Sequence, residues 1–238
     1  MDQTTLEKLT TFSHPLSDNC DLAFTVELLQ LYNPKSILEL GAGNGDWILF
    51  IANAMQDNAI SFVGYEDFRW QMNDTWETNI SDLNRLIHNS LASVELSNRV
   101  VLKNADITQL DAIKEYNGQI FDVVRLDCLA TDESDIVNVI TKVLPYTHDS
   151  TIFLVDDIAV NYCPNRFFAM MHLSKDSVLK PLWFGSKEGA WVRPNFNFEE
   201  FKLKIENKLN THWYTGEFYN YKLLGHKYNF LSTQMYHT

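Results

Sequence analysis

The stretch Ser36 to Asp46, reading SILELGAGNGD, constrains this chain more than any other. Ile37, Leu38 and Leu40 form a short apolar run, interrupted by the acidic Glu39, that leads straight into Gly41, Gly43 and Gly45. Such a pattern is a buried strand entering a tight turn. Glycine there can take positive φ, and it removes the Cβ atoms that would hold a ligand away from the main chain. Trp47, Ile48, Leu49, Ile51 and Ala52 then continue with helical spacing. A strand, a glycine turn and a helix make the unit with which an open α/β sheet binds a nucleotide-like ligand. A dinucleotide fingerprint wants its third glycine one place further on, where this chain has Asp46, so a pyrophosphate is disfavoured. The alternative is a tight strand-to-helix turn that binds nothing.

The rest of the chain repeats the alternation. Strands are expected at Ile60–Tyr65, Arg99–Lys103, Phe121–Leu126 and Thr151–Val155, with a helix over Glu133–Leu144. Their continuous apolar runs imply strands covered on both faces, as in parallel sheets. Ahead of the first strand, a short helix is expected over Thr4–Leu9. A second runs to Leu31, capped by Ser17, Asp18 or Asn19, with Leu22, Ala23, Val26, Leu29 and Leu31 on one buried stripe. After the fifth strand come a helix over Pro164–Leu173, with Phe167, Phe168, Met171 and His172 inward, and an amphipathic helix over Phe198–Leu209. Two hairpins complete the tail, Leu182–Phe184 with Ala190–Val192 and Tyr219–Leu224 with Lys227–Leu231. The piece from Trp70 to Trp76 suits a lid or a homodimer surface, or packing against the core. Asn161, Tyr162, Trp183 and Trp191 are either pocket walls or core.

Glu66 closes the second strand, and a carboxylate there can accept from both hydroxyls of a ribose. It can equally cap the next helix. A formal charge of −12 disfavours a long contact with nucleic acid, whose phosphates need Lys and Arg. The three cysteines contain no CxxC pair, so neither a zinc knot nor a disulfide framework is indicated. Neither a secretory leader nor a long apolar span is visible, which makes a cytoplasmic protein with no membrane segment the expectation.

The run Glu39-Leu40-Gly41-Ala42-Gly43-Asn44-Gly45 resembles the first motif of class I S-adenosylmethionine-dependent methyltransferases. The resemblance implies an α/β fold: a doubly wound, mostly parallel seven-stranded Rossmann-like sheet with an antiparallel C-terminal strand pair. One domain would span residues 1–238, with a helical cap (1–35), a cofactor-binding core (36–160) and a substrate-side tail (161–238). It further implies that Glu39 lies near the cofactor's amino-acid end and that Gly41, Ala42, Gly43 and Gly45 pass beneath the ribose and methionine. Asp106 would accept from the adenine amino group while the Ala105 N–H meets the ring; Asp also favours turns for local reasons. Ser17 and Asn19 would touch the cofactor, unless they only cap their helix.

Asp127 ends the fourth strand and Asp156-Asp157 the fifth. Three anions at neighbouring strand ends, about 5 Å apart, repel unless a cation intervenes, and Mg²⁺ is one answer. The arrangement looks like that of metal-dependent small-molecule O-methyltransferases of the catechol and macrocin type. That resemblance implies Asp127, Asp156 and Asp157 as metal ligands and Asp127 as the fallback base, since no basic side chain is visible just beyond it. Consecutive strand residues face opposite ways, so the Asp pair can share an ion only if the chain turns there. Otherwise Asp127 contacts the cofactor and the pair caps the next loop or helix. The function implied is methyl transfer to a hydroxyl of a small molecule. Alternatives are a metal-free N- or O-methyltransferase, an aminopropyltransferase, and a silent binding or scaffold protein with the same fold.

Overall fold

The computed structural model describes residues 19–43, 45–56, 58–67, 85, 88–89, 94–127, 132–158, 164–185, 187–206, 214–223 and 226–235. In chain order the elements are α1 (Asn19–Tyr32), β1 (Ser36–Leu40), α2 (Asp46–Ala54), β2 (Ser61–Glu66), α3 (Val94–Ser97), β3 (Val100–Asn104), α4 (Ala112–Tyr116), β4 (Phe121–Leu126), α5 (Glu133–Val143), a 3-10 turn (Leu144–Tyr146), β5 (Thr147–Val155), α6 (Pro164–Lys175), β6 (Lys180–Phe184), β7 (Gly189–Val192), α7 (Phe198–Ile205), β8 (Tyr214–Leu223) and β9 (His226–Met235). The expected Thr4–Leu9 helix, the Trp70–Trp76 piece, and Ser17, Asn161 and Tyr162 lie outside the described residues. Contacts divide the chain into two compact units, residues 34–148 and residues 1–33 with 149–238.

In the unit of residues 34–148 the strands lie in the order β3-β2-β1-β4. All three ladders are parallel, pairing Leu38 with Val63, Leu38 with Val124, and Val63 with Val101. Ile37 to Leu40 are buried without alternation, because helical crossovers cover both faces of a parallel sheet. The order turns back at β1, so the point where successive connections diverge falls between β1 and β4, at whose carboxyl ends such sheets bind ligands. The opposite edge is tied by Asp122, whose carboxylate accepts from the Lys35 and Ser36 amides (2.6 and 2.9 Å) and pairs with His148 Nε2 at 2.7 Å. Burial pushes that carboxyl up, but the bonds from His148, Lys35 and Ser36 outweigh it and hold it below its ordinary value.

In the other unit β5 and β7 are antiparallel, β7 and β6 form a hairpin, β6 runs parallel to β9, and β9 returns to β8 as a second hairpin. The described strands number nine rather than seven because both tail hairpins join ladders. Helix α1 is also more enclosed than a single stripe implies. Ala23 to Leu29 are buried all round, Thr25 and Glu27 included. The polar members are accommodated because they serve the β6–β7 turn: Asp21 accepts from the Lys187 and Glu188 amides (2.6 and 3.0 Å), and Thr25 donates to Glu188 at 2.5 Å. On α6, Met171 is buried as expected, but His172 and Phe168 face solvent. The buried positions there are Arg166, Ala169, Met170, Met171, Leu173 and Ser174. Among the described residues no helix is long and apolar enough to cross a membrane.

Candidate cofactor site

The glycine turn leaves β1 and is pinned to the end of β2. Gly41 and Ala42 both donate to the Tyr65 carbonyl (2.9 and 3.0 Å), and Gly45 N–H closes the turn on Ala42 O at 2.7 Å. Gly41, Gly43 and Gly45 have φ of 88°, 53° and 74°, the left-handed region in which glycine alone carries no side-chain penalty. Gly45 occupies the position before α2, and its carbonyl accepts from Leu49 N–H at 2.9 Å. A Cβ built on Gly43 would meet none of the described residues within 4 Å. Among the described residues the backbone there is therefore open.

Glu66 at the end of β2 is buried and faces the turn. One oxygen accepts from the Gly43 N–H at 2.6 Å and the other from the Asp67 N–H at 2.9 Å. A carboxylate oxygen can accept more than one bond, so the role of ribose acceptor is compatible with this clasp. Next to it, Tyr65 is held by Lys103 (3.1 Å) and Glu115 (3.5 Å). Burial is the main cause that raises its phenol, against the opposing pull of Lys103.

The ladder between β2 and β3 runs one residue past the strand, and Ala105 N–H donates to Glu66 O at 3.1 Å. That amide, which the resemblance gives to the adenine ring, is spent on the backbone here. Asp106 accepts from the Thr108 N–H and hydroxyl at 2.9 and 2.7 Å, forming a local turn of the kind short acidic side chains favour.

Between β1 and β4 lies a residue that a search for basic groups beyond Asp127 misses, because it precedes the acid. Arg125, in register with Glu39, stands two positions before Asp127 and therefore shares its face of the strand. Its Nη1 donates to Glu39 Oε1 at 2.5 Å and to Asp127 Oδ2 at 3.1 Å. The guanidinium carbon stands 4.8 Å from the centre of the Trp47 ring, in cation–π range. Arg125 and Glu39 are 5% and 1% exposed, Asp127 32%. The signal was available in the sequence: an arginine directly after the apolar Val123-Val124 and before Leu126, inside a strand, has to be paired. Trp47 Nε1 is buried and has no hydrogen-bond partner among the described residues.

The Asp156–Asp157 pair belongs to the other unit. The chain does turn there: Asp157 has φ 53° and its N–H donates to Asp156 Oδ1 at 2.8 Å. Arg166 of α6 reaches back, with Nη1 on Asp156 O at 2.9 Å and 3.7 Å from the Asp157 carboxylate. Among the described residues no three His, Cys, Asp or Glu side chains converge as a metal site. Asp127 and Asp157 each have an arginine partner instead, so these residues do not fit a Mg²⁺ site as they stand. Trp183 and Trp191 are core: both are fully buried, Trp183 against Phe24 with ring centres 4.6 Å apart.

A methyltransferase-domain family model matches residues 38–158, the stretch that carries the glycine turn, Glu66 and Asp127. The chain belongs to that methyltransferase family. No curated protein sequence matches it. Among solved structures, the methyltransferase domain is similar to CalS11, a TDP-rhamnose 3'-O-methyltransferase in calicheamicin biosynthesis, at 17% identity, covering 80% of this chain and 91% of that one with a TM-score of 0.55. SAH-bound PaMTH1 of Podospora anserina matches at 14% identity, 81% and 88% coverage and TM-score 0.58. An O-methyltransferase of Bacillus cereus in complex with SAH matches at 16%, 81% and 92%, and 0.54. The fold is accordingly the Rossmann-like one of class I S-adenosylmethionine-dependent methyltransferases.

Proposed function

We propose that this methyltransferase moves the methyl group of S-adenosylmethionine to a hydroxyl oxygen of a small molecule. The observation that carries the reading is the clasp between the Gly43 amide and Glu66 at 2.6 Å, with open space over Gly43 at the carboxyl edge of the sheet. Oxygen as the acceptor is supported by the acceptors named for CalS11 and the Bacillus cereus enzyme, which share the fold.

When bound, the donor supplies a methyl group on a sulfonium. The acceptor oxygen forms a bond to that carbon as the carbon–sulfur bond breaks, its electron pair stays on sulfur as a thioether, and the hydroxyl proton leaves to a base. Within the chain, Glu66 would hold the ribose hydroxyls, the turn would let the ligand approach the main chain, and Asp127 is the candidate base. Because an in-line displacement depends on alignment, holding the two reactants in register provides much of the rate.

Two routes differ in how the strand-end carboxylates are neutralised. In one, Mg²⁺ would be recruited as the resemblance implies and would supply a Lewis acid that orients substrate oxygens. The pairing of Asp127 with Arg125 and of Asp157 with Arg166 favours the other, in which no metal is required. Calorimetric titration with S-adenosylhomocysteine, with Glu66→Ala alongside, tests the donor site, and methyl transfer to a panel of catechols, sugars and other vicinal diols in Mg²⁺ or in EDTA tests the route. Micromolar binding weakened by Glu66→Ala supports the donor site, and transfer that persists in EDTA supports the metal-free route. No binding under any condition overturns the reading.

A further inference from the structure

We propose that Arg125 is a positioning residue for the charged end of the methyl donor, holding Asp127 in place and supplying the positive charge that would otherwise have to come from a metal. The inference rests on the donor reading above. In the order β3-β2-β1-β4, Asp106 comes after β3, Glu66 ends β2, and Glu39 and Asp127 stand at β1 and the end of β4. Three strand spacings amount to about 14 Å, the reach of an extended nucleoside with an amino-acid tail. With Glu66 at the ribose, that tail falls at β1 and β4.

Two carboxylates on adjacent strands repel, and without compensation one would be protonated or a cation recruited. Arg125 answers both acids through one nitrogen, at 2.5 Å to Glu39 and 3.1 Å to Asp127. Glu39, 1% exposed, is turned inward to that nitrogen. Of the trio, Asp127, about a third exposed, is the member that the ammonium of the donor's tail can reach. The guanidinium is fixed from three directions: Glu39 on β1, Asp127 after β4, and the Trp47 ring at the start of α2, 4.8 Å away. A lysine could reproduce the charge but not the planar stack on Trp47.

The test compares wild type, Arg125→Lys and the double variant Glu39→Gln/Arg125→Met by calorimetry, using S-adenosylhomocysteine and 5′-methylthioadenosine, which lacks the amino-acid tail. The double variant removes both buried charges together, a change that folds tolerate far better than removing one, and circular dichroism verifies that it is folded. We expect it to bind S-adenosylhomocysteine about tenfold more weakly or worse, the scale of a hydrogen bond to a charged group. 5′-Methylthioadenosine should bind unchanged, Arg125→Lys should recover part of the loss, and EDTA should leave wild type unaffected. Wild-type affinity in the folded double variant, or an equal loss for both ligands, overturns the inference. Failure of wild type to bind S-adenosylhomocysteine overturns the donor reading and this one with it.

Discussion

Gly43→Ala separates the folding role of the glycine turn from its binding role. In the free protein the added methyl meets none of the described residues within 4 Å, so no packing cost arises from them. The cost is conformational: at φ 53° an L-residue is disfavoured by about 1–2 kcal/mol. For a chain of this size each kcal/mol lowers the melting temperature by roughly 2–4 °C, so thermal unfolding without ligand should fall by about 2–8 °C. Binding should suffer much more, because the methyl would occupy the open space assigned to the donor. Gly43→Asn sharpens the comparison, since asparagine tolerates the left-handed region better than alanine but fills more room. It should melt above Gly43→Ala and bind S-adenosylhomocysteine no better. Differential scanning fluorimetry with and without S-adenosylhomocysteine reads both quantities. If Gly43→Ala shows the full ligand-induced shift of wild type, the donor does not lie over Gly43 and the geometric argument for the site fails.

Gly64→Ala should act through packing instead: its Cβ would overlap Leu102 Cδ2 and lie 2.8 Å from Ile48 Cδ1 and 3.1 Å from Ala42 Cβ. Overpacking of this kind costs about 1–3 kcal/mol, measurable as a lower urea midpoint with unchanged slope, and an unchanged midpoint would mean β2 can shift. Arg125→Met alone, leaving Glu39 buried without its cation, should destabilise by about 3–5 kcal/mol, and Glu39→Gln/Arg125→Met by much less; equal losses in urea unfolding would argue against a buried ion pair. Asp122 has a folded pKa below its unfolded value of about 3.9. Its contribution is thus fully present above pH 4 and is lost as pH falls through the folded value. Asp122→Asn should therefore lower stability at neutral pH and flatten the acid limb of stability against pH, and a parallel downward shift would contradict that assignment.

The local elements were legible because each has a local cause. A glycine run after an apolar strand allows only a tight turn, and continuous apolar runs at Ile37–Leu40 and Val123–Leu126 announce strands buried on both faces. That is why the parallel strands, the turn and the order of candidate acids could be read in advance, and why the family assignment falls on residues 38–158. What faces inward on the tail helix could not: His172 is on the surface while Arg166 is buried, because the choice depends on Asp156 and Asp157, ten and nine residues upstream of Arg166. The same holds for α1, whose Asp21 and Thr25 are buried because the amides of Lys187 and Glu188 and the Glu188 carboxylate meet them. Asp127 teaches most. By itself the sequence determined a carboxylate at the end of a strand, since apolar periodicity and a terminating acid are short-range signals. Only the tertiary structure decided what neutralises it, because the parallel pairing of β1 with β4 puts Glu39 beside Arg125 across 86 positions of chain. Charge compensation is a property of neighbours in space, and the register of a ladder decides which residues become neighbours.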